Sequence, residues 1–220
     1  MDYIYINEYS ICSQLCNEII QLYESNKEKQ YKGVTMGGLQ SEIKDTTDYI
    51  IPNNDNKDWN KINEFLKKEL ILNVKEYIKK INSFVSTGNN YGKKYNFISD
   101  IDQESTIPFL QFDSFMIQKY EKEQGKYIFH TDNHVDFYRS RYRIFTFIWY
   151  LNNVECGGET LFWDTYRVKP TSGKLVLFPA CWTFPHSGQM PISGDKYIIT
   201  GWIYVNNNKN VIKKVNELNK

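Results

Sequence analysis

The sequence predicts a mainly β protein of the α+β class: a barrel or sandwich of short strands with flanking helices packed outside it. Two observations carry this. From about residue 107 the chain breaks into short runs rich in Phe, Tyr, Trp, Ile and Val, punctuated by Gly, Asn and Pro, as a sheet protein with many turns does. Before that point, two longer stretches place apolar residues at helical spacing. Aromatic residues make up 16% of the chain, enough for a core or cleft built from rings, and 220 residues suffice for one domain with a full core.

The first helix is predicted over 10–25, where Ile11, Cys12, Leu15, Ile19, Leu22 and Tyr23 recur on one face after Ser10, a suitable N-cap. "GLQSEIKDTTDYIIPN" alternates and ends in a proline, which reads as a short strand running into a turn. A second, long amphipathic helix follows from Trp59, Ile62, Phe65, Leu66, Leu70, Val74, Tyr77, Ile78, Ile81 and Phe84, with Asp55 and Asn56 before it and Gly88 after it. The strands then come in turn: "FDSFMIQKY", "KYIFH", "RIFTFIWYLN", "ETLFW", "YRVKP", "KLVLFP", "WTFPH" and "KYIITGWIYV". The organisation expected is one domain, with a support region 1–106, a β core 107–205 and a polar tail 206–220.

Composition excludes some partners. Twenty-seven Lys and Arg nearly cancel 26 Asp and Glu, so no net field draws the chain to nucleic acid or to an anionic membrane. The first ten residues lack a basic and apolar leader, and no window approaches the roughly 20 apolar residues that cross a bilayer. A cytoplasmic protein is expected. Cys12, Cys16, Cys156 and Cys181 form no C-x-x-C pair, which argues against structural zinc or a disulfide framework and for buried thiols.

The chemistry concentrates in "YIFHTDNHVD", where two His-x-Asp triplets overlap: His130-Thr131-Asp132 and His134-Val135-Asp136. Residues i and i+2 of a strand point to one face, so either triplet offers a metal one nitrogen and one oxygen. His186, the only histidine outside the cluster, would complete the two histidines and one carboxylate that bind non-haem Fe(II) with open positions left over. Spacing alone does not choose between the triplets.

Linked pieces over residues 109 to 205 do more: "QKY…KYIFHTD", "RIFTFIWYLN", "GGETLF", "VKPTSGKLVLFP" and "PHSGQMPISGDKYIITGW". Together they resemble the 2-oxoglutarate and Fe(II)-dependent dioxygenases, in particular the prolyl 4-hydroxylase-like branch. The resemblance implies a double-stranded β-helix, a jelly-roll-like barrel. It places a tyrosine three residues before the metal-binding His-x-Asp; Tyr127 stands so before His130, whereas Thr131 stands so before His134. His130, Asp132 and His186 are therefore the expected metal ligands, and His134 and Asp136 fall in the loop beyond.

The same resemblance implies that 2-oxoglutarate chelates iron by its 2-oxo acid end while Lys196 holds its distal carboxylate, with Tyr120, Tyr150 and Thr200 adding hydroxyls. Lys196, Ile198, Thr200 and Trp202 share strand parity, which suits that arrangement. Tyr127, Arg143 and Trp202 are implied around a peptide proline, whose apolar ring suits aromatic faces. Arg143 and Tyr150 differ in parity, so the strand must begin or bulge between them if both face the cleft. Tyr150 in the core and Arg143 in a surface ion pair are the plainer alternatives. The GGET turn, Gly157 to Thr160, is read as serving the backbone, its glycines permitting a tight or bulged connection between strands.

The implied reaction converts 2-oxoglutarate and O2 to succinate and CO2 while hydroxylating a C–H bond, with ascorbate as a stimulant. Proline in a peptide or protein is the favoured substrate. The alternatives are the same chemistry on a free amino acid, another side chain or a nucleobase, and a non-catalytic metal-binding module.

Overall fold

The computed structural model describes residues 3–53, 57–86 and 110–206. The flanking residues Asp55, Asn56 and Gly88, the Phe84 side chain, the 106/107 boundary and, of the 206–220 tail, everything beyond residue 206 lie outside what is described. Two helices, α1 (Ser13–Ser25) and α2 (Lys57–Ser86), accompany fourteen strands among the described residues. These are β1 (Tyr5–Asn7), β2 (Tyr31–Lys32), β3 (Lys44–Asp45), β4 (Thr47–Ile50), β5 (Leu110–Phe112), β6 (Met116–Tyr120), β7 (Lys126–His130), β8 (Val135–Asp136), β9 (Arg141–Tyr150), β10 (Thr160–Phe162), β11 (Tyr166–Val168), β12 (Leu175–Pro179), β13 (His186–Gly188) and β14 (Lys196–Asn206).

They form two antiparallel sheets, in the manner of a double-stranded β-helix. The larger runs β1-β12-β9-β14-β6-β4-β2, with β5 also on β14 and β8 on β9; the smaller runs β11-β10-β13-β7-β3. Strand parity explains the layering. Phe147, Trp149, Ile117, Ile199 and Ile203 face one way and join Ile19, Tyr23, Leu66, Leu70 and Val74 of the helices in one core. Ile148, Tyr150, Tyr120, Val176 and Ile198 face the other way and meet Phe162 and Val168 of the smaller sheet. Both faces of the central strands are thus buried, and "FTFIWYL" reads as a continuous apolar run rather than an alternating one.

The structure revises several expectations. Helix α1 begins at Ser13, and Cys12 at its N-cap makes no side-chain bond. Ser10 does something else. Its hydroxyl donates to Glu69 of α2 (2.8 Å) and accepts the indole N–H of Trp149 (3.0 Å), so it ties helix to sheet. Replacing Ser10 by alanine strands the Nε1 donor of a fully buried Trp149. The expected cost is about 1–3 kcal/mol, read as a lowered denaturant midpoint with an unchanged slope.

"WTFPH" is a turn and not a strand, because Pro185 has no N–H to give a ladder and Phe184 N–H closes on Cys181 O (3.0 Å); His186 opens β13 instead of ending a strand. Of the thiols only Cys16 is buried, since it alone falls on the inner face of a helix. Phe65 lies on the flank of the apolar stripe of α2 and is exposed. Strand β1, which extends the larger sheet beside β12, was hidden by its three-residue length. No helix among the described residues is long and apolar enough to cross a membrane.

Candidate active site

At one end of the space between the sheets lies a cavity of about 380 Å³. His130 ends β7 and His186 begins β13, and the two are paired in register across the smaller sheet. Asp132 follows two residues on, where the chain has left the strand. Ligand atoms of the three lie within 4.8 Å of one another. Asp132 has one oxygen 3.8 Å from His130 Nε2 and the other 3.5 Å from His186 Nε2.

The hydrogen bonds behind these groups fix their chemistry. His130 Nδ1 meets the Ile128 carbonyl at 2.8 Å and His186 Nδ1 the Phe184 carbonyl at 3.1 Å. A carbonyl only accepts, so each Nδ1 carries the proton and each Nε2 turns its lone pair to the centre, as metal-binding imidazoles do. The Thr146 hydroxyl donates to Asp132 Oδ2 at 2.7 Å. Burial, then the neighbouring His186, pushes the His130 pKa down to about 4. Burial raises that of Asp132, but His186, His130, Thr146 and Arg143 outweigh it and hold the carboxyl below its usual range. Neutral imidazoles and an ionised carboxylate are the forms that bind a cation, so the donor set fits Fe(II).

Tyr127 stacks on His130 with ring centroids 3.5 Å apart and 14° between planes. Burial, then the charge of Asp132, pushes its phenol up to about 12, so it stays protonated. Arg143 lies over Trp202, its guanidinium carbon 3.6 Å from the ring centroid, and donates to Tyr204 Oη (3.1 Å) and the Asp132 carbonyl (3.3 Å). Among the described residues it forms no ion pair. The bulge required by parity is present: opposite Ile203 and Tyr204, β9 inserts Ile144 between Phe145 and Arg143. Arg143 thereby shares the cavity with Thr146 and Ile148.

Lys196, Ile198, Thr200 and Trp202 all line the cavity from β14. Lys196 is only 1% exposed. Its ammonium donates to the Gly158 carbonyl (3.0 Å) and the Gln189 carbonyl (3.3 Å) and sits 3.7 Å from the Tyr120 ring centroid. With no carboxylate paired to it among the described residues, burial lowers its pKa to about 7. Gly157 and Gly158 have φ of 72° and 77°, the left-handed backbone the turn needs to aim that carbonyl. Tyr120 donates to Gln118 (3.4 Å) and Thr200 to the Phe147 carbonyl (2.9 Å). Tyr150 is fully buried and absent from the cavity wall; its oxygen meets Thr160 Oγ1.

His134 stands apart from the ligand group, its carbonyl accepting the Arg143 N–H, and Asp136 pairs with Arg141 Nε at 3.1 Å within the β8–β9 hairpin. Residues not singled out from sequence also line the cavity, among them Thr146 and the buried pair Lys44 and Asp48 at 2.7 Å, and Thr160, expected to serve only a backbone turn, lines it too. Thr146 had a signal, as the threonine three residues after Arg143 in "RIFTFIWYLN", one of the pieces that carry the family resemblance. Lys44 and Asp48 had none, for they arrive on short strands.

Residues 115–204 match the model of the 2OG-Fe(II) oxygenase superfamily. The match takes in His130, Asp132, His186 and Lys196 and supports a 2-oxoglutarate and Fe(II)-dependent oxygenase. Solved structures agree with the fold of this oxygenase. It is similar to a prolyl hydroxylase from Trichoplax adhaerens in complex with a hypoxia inducible factor oxygen degradation domain peptide, at 20% identity and TM-score 0.61, over 100% of this chain and 88% of that one. A Pseudomonas putida prolyl-4-hydroxylase aligns at 14% identity and TM-score 0.59, covering 92% of each. The viral collagen prolyl hydroxylase of Paramecium Bursaria Chlorella virus-1, in its 2OG complex, aligns at 18% identity and TM-score 0.56, over 92% of this chain and 96% of that one. No curated protein matches the sequence.

Proposed function

We propose that this oxygenase hydroxylates proline within a peptide or protein. His130, Asp132 and His186 hold the metal, Lys196 anchors the distal carboxylate of 2-oxoglutarate, and Tyr127, Arg143 and Trp202 receive the substrate. Fe(II) with 2-oxoglutarate and O2 supplies the oxidising power, a C–H bond becoming C–OH as 2-oxoglutarate leaves as succinate and CO2.

The observation that carries the substrate reading is the Arg143–Trp202 stack beside Asp132. An apolar ring without an N–H is recognised by aromatic faces and by donors to its flanking carbonyls. Tyr127 and Trp202 are such faces. Among the described residues Arg143 pairs with no carboxylate, so guanidinium N–H groups beyond those given to Tyr204 and the Asp132 carbonyl can donate to a substrate carbonyl. The prolyl hydroxylases similar in fold add weight, since one of them holds a peptide.

The test is mass spectrometry of a proline-peptide library incubated with the iron-loaded enzyme, with succinate measured in parallel. Hydroxyproline within an extended segment is expected, because that conformation leaves carbonyls free to be read. Trp202→Ala is expected to cut coupled hydroxylation by at least about tenfold, the scale of one lost aromatic contact surface, with slow uncoupled succinate formation retained. Ready turnover of 2-oxoglutarate with every proline peptide unmodified, and a free amino acid or nucleobase oxidised instead, overturns the substrate reading.

A further inference from the structure

The proposed function leaves idle a buried ion pair on the cavity wall, Lys44 and Asp48, 2.7 Å apart. Strand β3 belongs to the smaller sheet and β4 to the larger, with Thr46 alone between them, so the pair bridges the two sheets. Lys44 stands directly opposite Tyr127 on β7, its ammonium 5.5 Å from the centroid of that ring, and Asp48 stands opposite Gln118 on β6. We infer that Lys44 is a substrate-binding residue, which donates a hydrogen bond to an uncharged amide carbonyl beside the target proline, and that Asp48 is a positioning residue, which acts through Lys44 and makes the site reject a carboxylate there. The inference rests on the reading of proline within a peptide as the substrate.

Donors and acceptors in the pair are unequally used. An ammonium has three N–H groups, and among the described residues Asp48 Oδ2 is the acceptor bonded to this one. The carboxylate is better supplied: Oδ2 also accepts from the Gln118 amide at 3.3 Å, and Oδ1 accepts from the Thr46 hydroxyl at 2.7 Å. The pair therefore has donors, not acceptors, to offer a ligand. Lys44 is 5% exposed and Asp48 1%. The Gly33 backbone lies against the pair, its N–H donating to the Thr46 carbonyl; a Cβ at Gly33 would run into Thr46 Oγ1 and come within 2.8 Å of Lys44 Cε and 3.2 Å of Asp48 Oδ2. With that side covered, the uncommitted N–H groups turn to the cavity, where a buried donor gains by meeting an acceptor.

Charge decides what that acceptor is. Asp48 already neutralises Lys44, so a second carboxylate at the ammonium would gain little attraction and would lie within reach of Asp48, a like-charge contact of the kind by which binding sites exclude a partner. An amide carbonyl takes the same hydrogen bond without that repulsion. Arg143 donates from the larger sheet, where it lies over Trp202, and Lys44 from the smaller, beside Tyr127. An extended chain between those two rings has its carbonyls free, so it is held from both walls and its direction is fixed.

The experiment measures hydroxyproline by mass spectrometry in a proline-peptide library in which each position flanking the proline carries Gln in one member and Glu in its twin. The wild-type enzyme is expected to prefer Gln over Glu about tenfold in kcat/KM at one flanking position, the scale of one hydrogen bond to a charged group. Lys44→Met should lose that preference, the loss falling on KM more than on kcat, and calorimetric titration of 2-oxoglutarate into the Mn(II)-loaded variant should give the wild-type affinity, which separates a lost substrate contact from a distorted cavity. Asp48→Asn should invert the preference at the same position and at no other, since an ammonium without its carboxylate favours the Glu side chain. Each single variant leaves a buried charge unpaired, so the Lys44→Met/Asp48→Asn double variant is the folding control, and it should discriminate no better than Lys44→Met. A Gln-to-Glu ratio that is the same in wild type and all three variants at every position, as an ion pair with a purely structural role would give, overturns the inference. If the wild-type enzyme modifies no proline peptide, the proline reading itself has failed and takes this one with it.

Discussion

Alanine in place of His130 or Asp132 is expected to abolish tight Fe(II) binding and all turnover, while alanine in place of His134 leaves both intact. Two remaining donors cannot hold a labile divalent ion in fixed geometry, and each histidine here is already committed by its backbone bond to presenting Nε2 inward. His134 offers the chain its carbonyl rather than the site its ring. Thr146→Val supplies the intermediate case. It removes only the hydroxyl that orients Asp132 Oδ2, and loss of such an outer partner costs roughly 10–100-fold in metal affinity. Anaerobic Fe(II) titration of the four proteins should therefore give a graded series, with His134→Ala at the wild-type value, Thr146→Val weakened and His130→Ala and Asp132→Ala without measurable affinity. Retention of iron by His130→Ala together with its loss from His134→Ala would mean that the other triplet holds the metal.

Local pattern made part of this molecule legible. The candidate ligand group was readable because a strand-end His-x-Asp offers two donors on one face, the family resemblance through Tyr127 chose between the two triplets, and His186 was the one histidine outside them. The lining of β14 was readable because strand parity sends Lys196, Ile198, Thr200 and Trp202 one way. Parity also required the bulge that appears at Ile144. What escaped depends on depth and on distant pairing. Parity puts Tyr150 on the same face as Thr146 and Ile148, but only the position of β10 decides that Thr160 stands between that phenol and the cavity. Lys44 and Asp48 reach the wall from strands two and four residues long, too short for any period to show. Ser10 looked like a helix cap because a serine before an apolar repeat usually is one; the buried Trp149 that claims its hydroxyl lies 139 residues away.

Lys196→Ala is expected to weaken 2-oxoglutarate by at least about tenfold near pH 6.5, the effect of losing a charge-assisted hydrogen bond of about 1.5–3 kcal/mol, with metal affinity little changed. The wild-type affinity should also fall as pH rises, and the sign follows from the lysine's surroundings. Burial without a paired carboxylate sets the Lys196 pKa at about 7 in the ligand-free protein, while the distal carboxylate of 2-oxoglutarate binds the ammonium form. Above pH 7 each binding event must first protonate the amine, so affinity drops about tenfold per pH unit until the higher pKa of the complex is reached. Tyr120 and Glu159 are the other titratable groups around the amine. Burial holds the Tyr120 phenol well above its usual range, and Glu159 favours the ammonium without outweighing burial. Stability of the ligand-free protein runs the opposite way. Between about pH 7 and the ordinary lysine value near 10.4 the unfolded chain holds a proton that the folded chain lacks, so the folded state gains stability as pH rises through that window. Lys196→Arg should keep its charge and flatten both profiles. Titrations of the Mn(II)-loaded protein from pH 6.5 to 8.5 decide the matter: a slope that persists unchanged in Lys196→Ala would assign the proton, and the carboxylate, to another group.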